Sequence, residues 1–171
     1  MGGSGCELPC WNGIVPGETA GEDAAIILTS LGYGMRYRGP SSQDYNSLVT
    51  EYIPPRRGLC VARVMQQEDT VEVIELRECP KTTRIGDLLT LLGEPNASLI
   101  SMDEYRIIAR EGAVNYTPDL LCGDVIAPNT RLRALRISAL SDNETMARWP
   151  IYLRYPYPPN ASLCGFNYRT F

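Results

Sequence analysis

The sequence predicts an α+β fold made of two units, each a helix followed by antiparallel strands. The clearest helical stretch, residues 83–95 (TRIGDLLTLLGEP), has a looser copy at residues 19–32 (TAGEDAAIILTSLG). Strand-like sequence follows each copy, without the strand–helix–strand alternation of a parallel sheet. We therefore expect a linker or tag at residues 1–5, a first unit at 6–80 and a second at 81–171. The two units would pack as one globular body on a shared or continuous sheet.

The second helix carries its own start and stop signals. Its large apolar residues recur at the spacing of one helical stripe: Ile85, Leu88, Leu89 and Leu92. We expect Thr82 or Thr83 to cap the start by accepting a hydrogen bond from a free backbone N–H. Gly93 suits the left-handed conformation that ends a helix, and Pro95 prevents its continuation.

The first helix shows a similar pattern. Thr19 and Glu22 form the T-x-x-E pattern of a capping box, and Gly32 follows the last apolar residue. The expected buried stripe has five members: Ala20, Ala24, Ile27, Leu28 and Leu31. The string T-x-L-G occurs at the end of both helices and favours a tandem repeat. Two unrelated amphipathic helices with ordinary stop signals are the alternative.

Runs of alternating or β-branched residues predict the strands. In the first unit they lie at residues 33–38, 47–53, 59–65 and 71–77, and in the second at 98–102, 105–110 and 113–116. Residues 132–140 fit a short helix or a strand, and we choose the strand by analogy with residues 71–77. Residues 149–157 are aromatic and extended but are interrupted by prolines. The third and fourth of these runs flank a polar turn and predict a hairpin. We expect the helices to cover one face of the sheet and to leave the other partly open. Trp11 and Ile14 would anchor the N-terminal arm onto the core.

Six cysteines are spread along the chain: Cys6, Cys10, Cys60, Cys79, Cys122 and Cys164. An even number in this pattern predicts an oxidising, extracytoplasmic compartment and up to three disulfides. The preferred pairing joins Cys122 to Cys164, and Cys60 or Cys79 to one of the two N-terminal cysteines. Free buried thiols of a cytosolic protein, or a lipidated Cys6, are the alternatives.

Composition and missing residue types argue against several functions. The formal net charge is −4, so nothing predicts the clustered basic surface that nucleic acid requires. The chain has no histidine, which removes Ser-His-Asp catalysis and imidazole zinc sites. No glycine-rich phosphate motif occurs, and we expect no cofactor and no enzyme. Paired carboxylates at Glu22–Asp23 and Asp103–Glu104 leave a hydrolase as the enzymatic alternative.

The pattern around the first helix resembles a known kind of protein. Six residues carry the resemblance: Ile14, Pro16, Gly17, Thr19, Leu31 and Gly32. It is similar to small bacterial outer-membrane lipoproteins of the SmpA/OmlA type and to the tandem-repeat β-lactamase inhibitory protein. The second helix keeps Thr83, Leu92, Gly93 and Pro95 but lacks the preceding Pro-Gly turn. The resemblance implies an extracytoplasmic, non-enzymatic protein that presents a sheet face to a partner. The linker-like residues 1–5 leave room for membrane anchoring through a removed N-terminal segment.

The candidate partner-binding residues lie near the end of the chain: Trp149, Tyr152, Arg154, Tyr155 and Tyr157. Tyrosine, tryptophan and arginine are enriched at interface hot spots, so we predict a protein-binding module. It would dock a macromolecular partner through a sheet face or through this aromatic C-terminal segment. The alternatives are a structural accessory subunit of a cell-envelope assembly, and aromatic residues that merely complete the core.

Overall fold

The computed structural model describes residues 9–41, 46–93, 95, 97–100, 105–109, 114–119, 127–139 and 153–155. Two helices lie within these ranges, α1 at Gly21–Ser30 and α2 at Ile85–Leu92. The strands between them are β1 Gly34–Pro40, β2 Leu48–Ile53, β3 Val61–Gln67 and β4 Thr70–Arg77. After α2 come β5 Ala97–Ile100, β6 Tyr105–Ala109, β7 Val114–Pro118, β8 Leu132–Ser138 and β9 Leu153–Tyr155. Each strand overlaps a predicted run, so the α+β class is confirmed.

The described strands form a nine-stranded sheet in the order β1-β2-β3-β4-β8-β7-β6-β5-β9. Every pairing between neighbours is antiparallel. Helix α1 precedes the meander β1–β4, and α2 precedes the meander β5–β8. The last strands of the two meanders, β4 and β8, pair at the middle of the sheet. This junction makes one continuous sheet out of both halves.

Similar backbone contacts tie each helix to the strand at the junction. In the first half, Gly21 N donates a hydrogen bond to Asp69 O (2.7 Å) and Val71 N donates to Thr19 O (2.9 Å). In the second half, Ile85 N donates to Thr130 O (2.9 Å) and Leu132 N donates to Thr83 O (3.1 Å). In both halves the stretch before the helix therefore bonds to the start of the fourth strand. Glu75 lies opposite Arg136 in the β4–β8 pair.

The start of α1 differs from the prediction. The N-cap residue is Ala20, and no side chain bonds to the helix start there, so the predicted Thr19–Glu22 capping box is wrong. Thr19 Oγ1 instead accepts a hydrogen bond from Val15 N at 2.8 Å, inside the turn that leads to the helix. The Thr19 hydroxyl group therefore bonds within this turn and not to the start of the helix. The first-turn N–H groups of α1 have no side-chain cap.

The end of α1 follows the predicted glycine signal. Gly32 has a φ of 83°, and Tyr33 N donates to Leu28 O at 3.0 Å, which completes a Schellman motif. The buried stripe is shorter than predicted, because Ala20 and Leu31 are exposed. Both residues flank the helix rather than belonging to it, so the helical period does not apply to them.

Helix α2 is capped by a different residue from the one predicted. Its N-cap is Arg84, and the Asp87 carboxylate accepts a hydrogen bond from Arg84 N at 3.1 Å. The prediction of Thr82 or Thr83 as the cap is therefore wrong. The predicted stop at Gly93 is confirmed, since this residue follows the helix with a φ of 82°. No described helix has the length and apolar character that crossing a membrane requires.

The main core lies between the helices and one face of the sheet. Its largest fully buried side chains come from both halves: Ile14, Leu28, Ile74, Leu76, Ile85, Ile107, Tyr116 and Ile137. Ile85, Leu88 and Leu92 of α2 are buried as predicted, and Leu89 packs at the margin of the same cluster. One cluster spans the β4–β8 junction, so the halves share their core.

The N-terminal arm docks on this core through a tight turn. Trp11 and Ile14 exchange backbone hydrogen bonds of 3.0 and 2.9 Å around Asn12 and Gly13. The positive φ values of these two central residues, 52° and 87°, match the type I′ turn that Asn-Gly favours. Ile14 is fully buried, and the Trp11 ring meets the Tyr33 ring edge to face at 6.1 Å. The predicted anchoring of the arm by Trp11 and Ile14 is confirmed.

The opposite face of the sheet is also largely buried where it is described. Val49, Met65 and Val73 form a second, smaller apolar cluster there. Glu75 and Arg136 on the same face are only 7% and 5% exposed. This face is therefore closed in its central region, whereas toward β1 it is open, since Tyr37 is 50% exposed. Apolar residues on both sides of β3 and β4 are typical of strands that are buried on both faces.

A disulfide closes the β3–β4 hairpin. Cys60 directly precedes β3 and Cys79 follows β4, and the register pairs Val61 with Arg77. The two ends of an antiparallel hairpin meet, so these cysteines come within 4.1 Å (Cα–Cα) and form a bond. The predicted pairing of Cys60 or Cys79 with an N-terminal cysteine is wrong for this reason.

Cys10 is also disulfide-bonded, and no described cysteine is free. Because Cys60 and Cys79 bond to each other, the partner of Cys10 is one of the cysteines outside the described residues. These are Cys6, Cys122 and Cys164. The pairing of Cys122 with Cys164 stays a prediction.

Candidate functional site

The predicted aromatic surface is only partly within the described residues. Arg154 and Tyr155 belong to β9, which pairs antiparallel with β5 at the edge of the sheet. Trp149, Tyr152 and Tyr157 lie outside the described residues. The C-terminal aromatic segment therefore stays a prediction, and the site below is built from other residues.

The strand at the other edge of the sheet, β1, is the most exposed strand for which side chains are described. Every residue of it is exposed except Gly39, which is half-buried. Met35 is 64% and Tyr37 50% exposed, and Ile53 on the neighbouring strand is 43% exposed. Strand β1 pairs with β2 on one side, and no described strand pairs with its other side. We call Met35, Arg36, Tyr37, Arg38 and Ile53 the β1 edge.

An irregularity in register distributes these side chains over both faces of the sheet. Met35 pairs with Tyr52 and Tyr37 with Glu51, so Arg36 is the extra residue of a bulge. Its guanidinium Nε lies 3.3 Å from Glu51 Oε1. Arg38 lies opposite Thr50 on the helix side of the sheet. The bulge therefore sends neighbouring arginines to opposite faces.

A cavity of about 410 Å³ adjoins the β1 edge on the helix side, and we call it the α1 pocket. Residues from the start of α1, from β1 to β3 and from the β3–β4 turn line it: Ala20, Gly21, Glu22, Ala25, Met35, Arg38, Thr50, Tyr52, Gln66 and Asp69. Its volume is within the range of small-ligand sites in proteins. The register places it between the first turn of α1 and the two outermost strands of the first half.

The floor of the α1 pocket is polar although it is deeply buried. Thr50 is 2%, Tyr52 4% and Gln66 7% exposed. Within the part of the chain that the structure describes, the side-chain polar groups of these three residues make no hydrogen bond. None of these polar atoms is sealed inside the protein, so the cavity gives them access to water or to a ligand.

Gly21 makes room for one of these groups. A Cβ atom at this position would collide with the side-chain amide of Gln66. The amide therefore lies directly against the first turn of α1, where a side chain would otherwise be. From the sequence, Gly21 was predicted only as a member of the helix. The available signal was a glycine in the first helical turn, because its missing side chain leaves room for a polar side chain from a strand.

Charges of both signs surround the opening of the α1 pocket. Arg38, Glu22 and Asp69 are all exposed at their outer ends. Burial raises the pKa of the Tyr52 phenol above its usual value of 10.0, and the nearby Arg38 charge partly opposes this increase. The arginine therefore acts electrostatically on the floor of the cavity as well as at its rim.

A second charged group lies on the opposite face of the sheet. The Glu75 carboxylate accepts from Arg77 Nε at 2.7 Å and lies 3.5 Å from Arg63 Nη1. Because both arginines satisfy this mostly buried carboxylate, we interpret the cluster as structural. The predicted acidic pair Glu22–Asp23 is solvent-exposed in the first turn of α1, and Asp103–Glu104 lies outside the described residues.

Two further features complete the survey of the described residues. A cavity of about 570 Å³ beside α2 is lined by Thr82, Thr83, Asp87, Leu88, Thr90 and Leu91. No group of three or more His, Cys, Asp or Glu side chains among these residues could hold a metal ion. No protein-family model, curated protein or solved structure matches this chain.

Proposed function

We propose that the protein is an extracytoplasmic, non-catalytic protein-binding module that docks its partner at the β1 edge. The observation that carries this proposal is the exposure of Met35 and Tyr37 on a strand that ends the sheet. Methionine, tyrosine and arginine are enriched at protein interfaces. A large apolar side chain on an edge strand is unfavourable in water unless a partner covers it.

The mode of binding that fits this surface is addition of one strand to the sheet. The outer side of β1 offers backbone N–H and C=O groups to an extended segment of a partner. Main-chain hydrogen bonds would supply affinity, and the alternating side chains of β1 would supply specificity. Met35 and Arg38 would contact the partner on the helix side, and Arg36 and Tyr37 on the opposite side.

The disulfides support an extracytoplasmic location. Cys60 is bonded to Cys79, and Cys10 has a further disulfide partner. Structural disulfides form and persist mainly in oxidising compartments. The resemblance of the sequence around the first helix to SmpA/OmlA lipoproteins and to β-lactamase inhibitory protein points the same way.

We also infer that the chain is a tandem repeat. Both halves have the order helix then four-stranded meander, and both bond the stretch before the helix to the start of the fourth strand. The last strands pair so that Glu75 and Arg136, which occupy corresponding positions in the two halves, face each other. This register is what an approximate twofold axis between two copies of one unit would produce.

Photo-crosslinking tests the docking surface. We would replace Tyr37 with p-benzoylphenylalanine, which keeps an aromatic ring at the β1 edge, in cells that make the protein. The matched control carries the same group at Leu91 on α2, which is 52% exposed compared with 50% for Tyr37. We expect one protein to be cross-linked from position 37 and not from position 91.

Affinity measurement with the purified partner completes this test. Tyr37→Ala should weaken binding by at least about tenfold, and Leu91→Ala should leave it unchanged. The proposal fails if both positions give the same adducts, or if Tyr37→Ala binds as tightly as the parent chain.

A further inference from the structure

The α1 pocket has a polar floor that a ligand could reach. Thr50, Tyr52 and Gln66 are more than nine-tenths buried, and in the described chain their side-chain polar groups have no hydrogen-bond partner. None of these atoms is sealed inside the protein, so they face the cavity. Two hydroxyl groups and one carboxamide can donate and accept hydrogen bonds, as the groups of a peptide or an amino acid also do.

The first turn of α1 adds a site for negative charge. The helix begins at Gly21 without a side-chain cap, and this end carries the positive end of the helix dipole, while Gly21 N itself donates to Asp69 O at 2.7 Å. The Gln66 amide occupies the space beside Gly21. Arg38 also lines the cavity and brings a full positive charge. A carboxylate bound in the cavity would meet the Arg38 guanidinium and the Gln66 amide.

The rim also carries two carboxylates, Glu22 and Asp69. With Arg38 they give the lining a formal charge of −1 (one positive and two negative side chains). This balance disfavours a simple anion such as phosphate, while Arg38 and the helix start disfavour a simple cation. A ligand that carries both charges pairs with both sets.

From this arrangement we propose that the α1 pocket binds a free amino acid or a short peptide by its two charged ends. The carboxylate lies at Arg38 and the Gln66 amide, and the ammonium group lies at Glu22 and Asp69. The hydroxyl groups of Thr50 and Tyr52 and the Gln66 amide bond to the atoms between. This site goes beyond the docking of a protein at the β1 edge and does not depend on it.

Ligand titration of the full, disulfide-bonded chain tests the proposal. The probes are alanine, alanyl-alanine, and two blocked forms, N-acetyl-alanyl-alanine and alanyl-alanine amide. Calorimetry gives the affinity, and NMR shifts of the Gly21 and Gln66 amides give the location. We expect a dissociation constant of about 1 mM or tighter for an unblocked probe. Each blocking group removes one charged contact and should weaken binding at least about tenfold.

Two arginine variants provide the matched comparison. Arg38→Gln should weaken binding of the unblocked probe at least about tenfold, because it removes the carboxylate partner. Arg36→Gln makes the same change of charge on the same strand, but on the opposite face of the sheet, and should leave the affinity unchanged. Gln66→Leu should abolish binding without lowering the melting temperature, since it removes a buried amide that has no partner.

The outcomes separate the two sources of ligand. Tighter binding of alanine identifies a free amino acid, and tighter binding of alanyl-alanine identifies a peptide. The proposal is overturned if neither probe binds, if blocked and unblocked peptides bind equally, or if both arginine variants lose affinity to the same extent. A failed cross-link from Tyr37 would leave these titrations unaffected, so the two proposals are tested separately.

Discussion

Two buried tyrosines give the first half of the molecule a measurable response to pH. Tyr33 donates a hydrogen bond from its hydroxyl group to the backbone carbonyl of Cys60 at 3.3 Å, and Tyr52 lies on the floor of the α1 pocket. Burial raises the pKa of both phenols above 10.0, because the phenolate is poorly solvated inside the protein. Arg38 lowers the pKa of Tyr52, but its effect is smaller than that of burial.

We therefore expect the free energy of unfolding to decrease as the pH rises above 10. Between the unfolded and folded pKa values, the unfolded chain has lost phenolic protons that the folded protein still holds, so alkaline conditions favour unfolding. The contribution is fully present below the unfolded value. Urea unfolding at about pH 8 and about pH 11 measures the decrease. Tyr52→Phe should make it smaller, and Arg38→Gln should make it larger.

An alkaline decrease that is the same in the parent chain, Tyr52→Phe and Arg38→Gln would contradict this assignment. In that case the loss would come from other groups. The Arg38→Gln variant links this measurement to the titrations above, because the same guanidinium group acts on Tyr52 and on the proposed carboxylate.

At the scale of elements, the β3–β4 hairpin and its disulfide illustrate what the sequence could predict. The hairpin followed from two β-branched runs around a polar turn, and the structure has it. Cys60 lies at the start of the first run and Cys79 follows the second, so the hairpin itself implied their pairing, which the preferred pairing overlooked. The turn is also tighter than predicted, with Glu68 and Asp69 as its two central residues, both at positive φ.

The helix caps and the α1 pocket were harder to predict. Capping depends on which side chains are available to bond the free backbone N–H groups. The Thr19 hydroxyl group is not available, because it accepts a hydrogen bond from Val15 N in the turn that precedes the helix. Arg38, Thr50 and Gln66 come together only through the registers of three strands and the bulge in β1. No spacing along the chain reveals such a set. The local patterns therefore predicted the elements, whereas the candidate site required their arrangement.

Removing the hairpin disulfide should destabilise the protein. The bond joins cysteines 19 residues apart, and closing a loop of this size stabilises the folded state by about 3 kcal/mol. We expect the Cys60→Ser/Cys79→Ser double variant to lose about that much free energy of unfolding in urea. Peptide mapping of the unreduced parent chain provides the control, and it should yield one peptide pair linked through Cys60 and Cys79. Linkage of Cys79 to Cys6 or Cys10 would contradict the structure.

At the scale of the whole molecule, the halves share one sheet and one core. Leu76 of β4 lies opposite Leu135 of β8 across the junction, and both belong to the main core cluster. The two halves therefore contribute to one main core. Because the halves share this core, we expect them to unfold together in one cooperative step.

Truncating Leu76 should consequently weaken both halves. Leu76→Ala removes a fully buried side chain and should cost about 2–5 kcal/mol. We expect one unfolding transition by circular dichroism and fluorescence, and faster amide hydrogen exchange in β7 as well as in β3. Leu91→Ala, at an exposed position on α2, should change the stability by less than about 0.5 kcal/mol. Faster exchange confined to β3 would mean that the halves unfold separately.

Within the described residues the sheet ends at β1 and at β9, and these two edges determine how molecules of this protein can meet one another. Pairing of β1 in one molecule with β9 in the next would continue without limit and build a fibre, whereas β1 against β1 would stop at a dimer. In the dimer, Arg36 and Arg38 of both molecules would be brought close together, and like charges across neighbouring strands repel. The two arginines therefore oppose self-assembly at the strand that is most accessible to it.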